Sequence, residues 1–463
     1  MKLAIFYGNR GFFPGEVIAS AREEMRCAVE KAGFEPLEMD ASLTRYGAVE
    51  TIAEGKQYAA FLEAHRGEFD GVVVCLPNFG DENGAYYALK DAGVPILIQA
   101  YPDEIGKMDF AHRRDAVCGK IAMCNVLRQA GIPYTLTKQF AAHPDSAALA
   151  EDLRLFGGVC RAVKGLKHFT VGAIGARTTA FKTVRVDEIA FQRKHINVET
   201  VDLSEVFALM DNAESEKIEA KKKALTDLSD FGKFKGEKLE NIARLGVALD
   251  TLIDRYGLDS IAIRCWDELQ KKYAIAPCVL LSELNGKGIP AACELDVNNA
   301  VMMQAMACAS GEPVMLFDVN NNYGEDKKKV VLFHCGPAPS NMMKSKGHIE
   351  EHLMFKKTYG EGSGVGLNVG DIIATETTLG SMKTEDGELW SFVTEGKLTE
   401  DEIEKAFFGC GTVFEKKEGG ADDLLNYMAT EGYRHHVAIA KGYWGAAVKE
   451  AFEKYLGFEI EMV

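Results

Sequence analysis

Short apolar runs in alternation with helical segments are the feature that most restricts the fold of this chain. Gly71–Leu76 (GVVVCL) and Pro95–Gln99 (PILIQ) have the length of buried strands, and Asn83–Ala92 between them has helical periodicity. Leu3–Tyr7 is an earlier strand, and a helical stretch follows it. This alternation predicts an α/β domain with a doubly wound parallel sheet over residues 1–167.

A second domain of the same kind is predicted for residues 168–308. His168–Ile174 and Ser260–Cys265 are again apolar runs of strand length, and Cys278–Ser282 also fits a buried strand. The stretch 214–240 is rich in Lys, Glu and Asp at helical spacing, which is typical of a solvated helix face. The first two-thirds of the chain therefore form two tandem α/β domains in this interpretation.

After Gly311 the pattern changes to short strands between turns rich in Gly, Asn and Thr. Met315–Val319, Val330–His334 and Leu389–Thr394 are examples, and helical segments are sparse until near the end of the chain. Many short strands with such turns predict a mainly β, barrel-like domain over residues 309–463.

Composition excludes several classes of function. The net charge of −16 argues against a nucleic-acid partner, and no apolar run is long enough to cross a membrane. A strand follows Met1 almost at once, so we expect no signal peptide. The eleven cysteines are scattered without a CxxC pair, which is typical of a reducing cytoplasm. We therefore expect a cytoplasmic protein with free thiols.

Two carboxylates stand out because each ends an apolar run. Glu294 follows Ala-Ala-Cys and Asp318 follows Val-Met-Leu-Phe, while His334 ends a third run and His435-His436 opens a fourth. A buried carboxylate is costly unless a cation or a hydrogen-bond network holds it. Two carboxylates with one or two imidazoles suit a divalent cation such as Mn²⁺. Taken singly, however, an Asp after an apolar run is more often a turn former or a helix N-cap.

The motifs around these residues resemble the L-fucose isomerase and L-arabinose isomerase superfamily. The resembling stretches are CELDV with Glu294, LFDVNN with Asp318, FHCG with His334, RHHVA with His436, IRCWDELQ around Trp266, Pro277-Cys278, and GARTTAFKTVRVDE from Gly175 to Glu188. The L-fucose branch holds its metal with a Glu, an Asp a couple of dozen residues later, and a distant His. Asp318 follows Glu294 by 24 residues, which agrees. The L-arabinose branch has an additional His, and His334 occupies that place.

The resemblance implies an aldose–ketose isomerase that acts on an open-chain sugar through an enediol. In such an enzyme Glu294 and Asp318 would both hold the metal and shuttle protons, His436 would complete the metal site, and His334 would be a fourth ligand. Mn²⁺ is the expected cofactor, with Mg²⁺ and Co²⁺ as alternatives. The implied substrate is a sugar similar to L-fucose, D-arabinose or L-arabinose.

Four further residues are expected to contact the substrate. Trp266 offers an apolar wall for a sugar face, and His435 can orient its neighbour or meet a hydroxyl. Arg177 is a cationic candidate. Arg10 is included because, in the L-fucose branch, the first domain helps to close the pocket of a neighbouring subunit. The same resemblance implies a homo-oligomer, a trimer or a hexamer.

Two alternatives remain open at this stage. One is an isomerase of an anionic sugar, sulfonated or phosphorylated, such as sulfoquinovose. Its cationic candidates are Arg177, Lys182, Arg185, Arg193, Lys194 and His195. The other is a sugar-binding protein without turnover, against which the retained Glu294 and Asp318 argue.

Overall fold

The computed structural model describes residues 1–404 and 409–463, which form two compact units, Met1–Lys164 and Gly165–Val463. The first boundary lies close to the predicted end of the first domain. The further division of the second unit at residue 308 stays a prediction.

The first unit contains a five-stranded parallel sheet. Its strands are β1 (Lys2–Tyr7), β2 (Glu35–Glu38), β3 (Gly71–Leu76), β4 (Ile96–Ala100) and β5 (Thr135–Leu136), and its helices are α1 (Val17–Lys31), α2 (Ile52–Ala64), α3 (Glu82–Leu89), α4 (Ala116–Gln129) and α5 (Ala147–Leu166). The sheet order is β2-β1-β3-β4-β5. Every residue of β3 is buried, as expected for a central parallel strand covered on both faces. The predicted α/β architecture is confirmed here.

The second unit begins with another parallel sheet. This sheet contains β6 (Thr170–Ile174), β7 (Asn197–Val201), β9 (Ser260–Ile263) and β10 (Ala291–Ala292), whereas β8 (Ser229–Asp230) belongs to a separate three-stranded sheet. The sheet order is β10-β9-β6-β7. The helices of this part are α6 (Glu188–Arg193), α7 (Leu203–Asp211), α8 (Ser215–Leu228), α9 (Glu237–Tyr256), α10 (Glu268–Tyr273), α11 (Cys278–Gly286) and α12 (Val297–Ser310).

The predicted strand at Cys278–Ser282 is wrong, because this run opens α11. A short apolar run that is buried all round has no face to reveal its period, so helix and strand look alike in sequence. Pro277 immediately before it suits a helix start, since a proline lacks the N–H that a first helical turn leaves unpaired.

The rest of the second unit is mainly β, as predicted. Its strands are β11 (Met315–Tyr323), β12 (Asp326–His334), β13 (Gly347–Glu351), β14 (Val365–Val369), β15 (Thr375–Glu385), β16 (Glu388–Leu398), β17 (Cys410–Lys416), β18 (His436–Lys441) and β19 (Glu459–Met462). The larger sheet has the order β15-β18-β11-β12-β17-β16-β19, and β15 also pairs with β16. A closed barrel stays a prediction. The helices are α13 (Leu353–Tyr359), α14 (Ala421–Thr430) and α15 (Gly445–Glu450), and a π-helix spans Ala451–Leu456.

Helix α12 packs between the four-stranded parallel sheet and the seven-stranded sheet of the second unit. It packs on β9 and β10 of the parallel sheet and on β15 and β18 of the larger sheet. Most of its residues are buried, because sheets cover more than one of its faces. The start of α12 therefore lies where loops of one sheet meet strands of the other.

None of the eleven cysteines, all of which the structure describes, forms a disulfide. Within residues 1–404 and 409–463, no helix is long and apolar enough to cross a membrane. The expected cytoplasmic location stays a prediction.

Candidate active site

The strand register of the larger sheet brings three of the predicted residues together. Asp318 on β11 lies opposite His436 on β18 and opposite Phe333 on β12, one residue before His334. Asp318 Oδ1 is 3.4 Å from His436 Nε2. Directly opposite residues of antiparallel strands have Cβ atoms about 4.5–5.5 Å apart, so the register places Asp318 beside His436, and His334 joins them from the last position of β12.

Glu294 reaches the same place from a strained turn between β10 and α12. Glu294 and Leu295 have φ angles of 54° and 61°, a left-handed conformation that costs non-glycine residues about 1–3 kcal/mol each. The turn is held by the Leu295 N–H, which donates to the Ile263 carbonyl at 3.0 Å. It places Glu294 Oε2 3.3 Å from His436 Nε2 and 3.7 Å from His334 Nε2.

Four polar atoms of this cluster are buried without a hydrogen-bond partner among the described residues. They are Glu294 Oε2, Asp318 Oδ1, His334 Nε2 and His436 Nε2. Unpaired buried polar atoms are costly, and four of them within one cluster are satisfied if a ligand binds there. The ligand atoms of Glu294, His334 and His436 lie within 4.8 Å of one another. Carboxylate oxygens and imidazole nitrogens at this spacing fit a divalent cation.

A buried carboxylate orients His436. Asp296 Oδ2 is 2.9 Å from His436 Nδ1, and Asp296 Oδ1 accepts from Arg434 Nη1 at 2.5 Å. Asn299 Nδ2 donates to Asp296 Oδ2 at 2.7 Å. Because an ionised carboxylate only accepts hydrogen bonds, the proton of a neutral His436 lies on Nδ1. The lone pair of His436 Nε2 therefore faces the cluster, as metal-binding histidines require.

Sequence reasoning missed Asp296 and Arg434. They lie within the motifs CELDV and RHHVA, respectively, beside the predicted ligands Glu294 and His436. The usable signal was Asp296 directly before the helical run of α12, where it caps the helix by accepting from the Asn299 N–H. An Asp of this kind reads as an ordinary N-cap, and only the tertiary structure shows that it also holds a histidine from a strand 140 residues away.

Burial and mutual charge shift the titration of the cluster in the metal-free protein. Burial raises the Glu294 pKa, but the adjacent imidazoles of His334 and His436 outweigh it and lower that pKa to about 2. Burial raises the pKa of Asp318 to about 6, against the lowering effect of the two histidines. Burial opposes charge on His436, yet Asp296 and Glu294 raise its pKa to about 10. Without a cation, protons supply the positive charge that these carboxylates attract.

An aromatic wall stands beside the cluster. The Phe181 ring lies 5.1 Å from that of Trp266, 5.9 Å from His435 and 6.3 Å from His436. The side chains of His435 and Asp318 are 42% and 21% exposed, so solvent reaches the site here. Burial and the charge of His436 lower the His435 pKa to about 4, which leaves a neutral imidazole for a hydroxyl group. Phe181 was not predicted, although it lies within the resembling stretch.

The described contacts of the two predicted arginines are with residues outside the cluster. Arg177, three residues after the end of β6, donates to the carbonyls of Thr178 and Thr179 at 3.1 and 3.4 Å, and none of its described contacts joins it to the cluster. Arg10 belongs to the first unit. There it pairs with Glu82 at 3.2 Å, and its guanidinium lies 4.1 Å from the centre of the Phe79 ring.

Comparison with known sequences gives consistent matches. The profile described as "Fucose/sulfoquinovose isomerase, N-terminal domain" matches residues 4–167, and "L-fucose isomerase, C-terminal domain" matches residues 332–463. The chain is 23% identical over 397 residues to the sulfoquinovose isomerase of Priestia aryabhattai, covering 84% of this chain and 85% of that protein. It is 25% identical over 325 residues to the sulfoquinovose isomerase of Alkalicoccus urumqiensis, covering 68% and 70%.

Proposed function

Because this chain belongs to the L-fucose isomerase family and is an aldose–ketose isomerase, we propose that it converts a sulfonated aldose of the sulfoquinovose type into the ketose. The names of its relatives support this substrate over the uncharged sugars that the sequence motifs implied. The observation that carries the proposal is the convergence of four buried, unpartnered ligand atoms from Glu294, Asp318, His334 and His436.

The proposed cofactor is Mn²⁺, held by Glu294, Asp318 and His436, with His334 as a fourth ligand. When bound, it supplies Lewis-acid stabilisation of negative charge on the two sugar oxygens. The carboxylates of Glu294 and Asp318 hold and move the protons. One accepts the proton from C2 and returns it to C1, and the other serves the exchange between the two oxygens. His435 and the wall of Phe181 and Trp266 orient the open chain.

The sulfonate would bind to the cationic segment that follows Phe181. Lys182 and Arg185 are exposed and line a cavity of about 600 Å³. Lys383 and Arg434, which are paired with Glu385 and Asp296, also line it, as do Asp187 and Asp386. A sulfonate is ionised at every physiological pH, so a fixed lysine or arginine charge suits it better than a titrating group. Phe181 packs on His435, so the cationic segment continues directly from the wall of the candidate site.

The test compares sulfoquinovose with L-fucose and D-arabinose at saturating Mn²⁺. We expect kcat/KM to be highest for sulfoquinovose. The double variant Lys182→Ala/Arg185→Ala should raise KM for the sulfonated sugar by about 10–100-fold, because charge-assisted hydrogen bonds contribute about 1.5–3 kcal/mol. Lys223→Ala is the matched control, since this exposed lysine pairs with Asp227 on α8.

Either of two results would contradict the substrate proposal. One is a kcat/KM for an uncharged aldose that equals or exceeds that for sulfoquinovose. The other is a double variant whose KM rises equally for the uncharged and the sulfonated sugar. Lys182 and Arg185 would then not be binding the sulfonate.

We further propose that the protein is a homo-oligomer, a trimer or a hexamer, in which Arg10 completes the site of a neighbouring copy. The motive is the family resemblance. Arg10 is also held in place by Glu82 and Phe79, as a residue needs to be if it presents its charge to another surface.

A further inference from the structure

Two buried cysteines form a second group of possible ligands around Glu294. Cys265 follows β9 by two residues, and Cys293 directly follows β10. Because β9 and β10 are parallel neighbours, their carboxyl ends meet at one edge of the sheet, where the two cysteines come together. One ligand atom each from Cys265, Cys293 and Glu294 lies within 4.8 Å of the others, and all three residues are buried.

The carboxylate distinguishes this group from ordinary core packing. A free cysteine usually behaves as a small apolar residue, and Cys265 and Cys293 do pack in the hydrophobic core of the second unit. However, Oε2 of Glu294 is buried without a hydrogen-bond partner among the described residues. A neutral thiol is only a weak donor, so the two cysteines do not satisfy this oxygen as a cation would.

Two sulfurs and one carboxylate oxygen favour a different cation from the neighbouring imidazoles and carboxylates. Thiolates select soft ions such as Zn²⁺, whereas Mn²⁺ prefers oxygen ligands. Two thiolates at about 2.3 Å from one zinc ion lie about 3.8 Å apart, which the spacing of this group allows. Each thiol releases its proton to solvent when the ion binds, because the thiolate is the ligand.

We propose that Cys265, Cys293 and Glu294 form a second cation site, which takes a thiophilic divalent ion such as Zn²⁺ and thereby inhibits the enzyme. Glu294 belongs to this group and also to the group with His334 and His436. A carboxylate bound to Zn²⁺ is a weaker base, so it no longer accepts the C2 proton. The inhibition rests on the proposed function, whereas the binding site does not.

The direct test counts the sulfur atoms bound to a soft ion and needs no variant. The full-length protein is loaded with Mn²⁺ and then receives one equivalent of Cd²⁺, and X-ray absorption spectroscopy at the cadmium edge identifies the neighbours of Cd²⁺. We expect two sulfur neighbours. A Cd²⁺ ion that had instead replaced Mn²⁺ beside the histidines would have none. Fewer than two sulfur neighbours would overturn the proposal.

Variants assign the two sulfurs. Cys265→Ala and Cys293→Ala should each raise the Cd²⁺ dissociation constant at least about tenfold, since even the partners that support a ligand are worth about 10–100-fold. The ultraviolet absorption of cadmium–sulfur bonds follows the titration. Cys160→Ala is the matched control, at a fully buried cysteine of the first unit, and should leave the constant unchanged. Equal affinity in the parent and in both cysteine variants would overturn the proposal.

Turnover tests the inhibition separately. At saturating Mn²⁺, saturating Cd²⁺ should lower kcat of the parent by about 10²–10⁴-fold, which is the contribution of a general base. The rate of each variant is compared with its own rate without Cd²⁺, and the cysteine variants should lose much less than the parent.

A parent that binds Cd²⁺ through two sulfurs and keeps its full rate would overturn the inhibitory role. If no sulfonated sugar is converted even without Cd²⁺, the proposed function and the inhibition both fail. The sulfur count still decides whether the second site exists, because it does not depend on turnover.

Discussion

Nδ1 of His436 lies 2.9 Å from Oδ2 of Asp296, and both side chains are fully buried. Asp296 is also the N-cap of α12, and its other oxygen holds Arg434. The residue that starts a helix thus orients a proposed metal ligand on a strand. The geometry of the site depends on how α12 packs between the four-stranded parallel sheet and the seven-stranded sheet.

Asp296→Asn should weaken metal binding without touching a ligand. The amide cannot stabilise a proton on His436 Nδ1 as a carboxylate does, so the Mn²⁺ dissociation constant should rise about 10–100-fold. Arg434 would lose its buried ionic partner, which typically costs about 3–5 kcal/mol of stability. Titration of metal-free protein with Mn²⁺ measures the first effect and urea unfolding the second. Asp227→Asn, at an exposed ion pair, should change neither.

Metal removal should lower thermal stability as well as activity. The carboxylates of Glu294 and Asp318 repel each other unless a cation or a proton lies between them. Binding to the folded state alone stabilises by about 2.7 kcal/mol at a ligand concentration of 100 times Kd. We expect Tm to fall after chelation and to recover with excess Mn²⁺. A Tm that does not respond to Mn²⁺ would argue against a cation site in the folded protein.

The sequence indicated which side chains lie close together in the candidate site, but not which contacts position each of them. Asp318, His334 and His436 end or begin apolar runs that are indeed neighbouring strands, so the structure brings them together with Glu294 as expected. The left-handed turn at Glu294 could not be foreseen, because no glycine marks it. Its conformation is imposed by the surrounding packing rather than by local preference.

The missed elements share a physical cause. The helix that begins at Cys278 and the contact of Asp296 with His436 both depend on which distant parts of the chain pack against a buried segment. Helix and strand periods cannot be distinguished where every face is apolar. Likewise, an N-cap aspartate carries no mark of a distant histidine. In contrast, the parallel sheet of the first unit follows from local alternation alone, and it was predicted correctly.

Arg10 tests whether neighbouring copies complete each other's sites. Arg10→Ala should lower activity while Tm stays near that of the parent, because its partner Glu82 is partly solvated. Mixed oligomers of Arg10→Ala and Glu294→Gln should regain activity, since some sites then combine an intact Arg10 with an intact Glu294. Light scattering gives the oligomeric state. An active monomer, or no recovery in mixed oligomers, would contradict the proposal.

Lys120 should make stability depend on pH. It is fully buried, and Nζ donates to Thr137 Oγ1 at 2.7 Å and to the Phe140 carbonyl at 2.8 Å. Burial lowers its pKa to about 8, so between pH 8 and about 10.5 the unfolded chain binds more protons than the folded one. The free energy of unfolding of the parent should therefore rise with pH in this window. The contribution of Lys120 to it should be lowest below pH 8.

The comparison of parent with Lys120→Met isolates this effect from tyrosine and cysteine titration. In urea unfolding at pH 8, 9 and 10, the parent should gain up to about 1.4 kcal/mol per pH unit relative to the variant. Lys138→Met, at an exposed lysine nearby, should show no such trend. If the difference in free energy of unfolding between the parent and Lys120→Met stays constant from pH 8 to pH 10, the pKa of Lys120 is not lowered in the folded protein.

Glu294→Gln and Asp318→Asn should separate proton transfer from metal binding. Each keeps the size of the side chain and removes a basic oxygen, so turnover should fall by about two to four orders of magnitude. Metal occupancy must be measured in parallel, because a neutral amide is also a poorer ligand for a hard cation. A loss of turnover that excess Mn²⁺ restores in full would assign the carboxylate to metal binding alone.

Exchange of the substrate C2 proton with deuterated solvent tests the central claim most directly. Sulfoquinovose is incubated with enzyme and saturating Mn²⁺ in D₂O, and nuclear magnetic resonance follows the C2 position and the ketose product. The parent should form ketose and introduce deuterium, and Glu294→Gln and Asp318→Asn should each show at most about one-hundredth of that rate. If both variants exchange and turn over like the parent, neither carboxylate moves the proton, and the cluster around His436 is not the centre of the reaction.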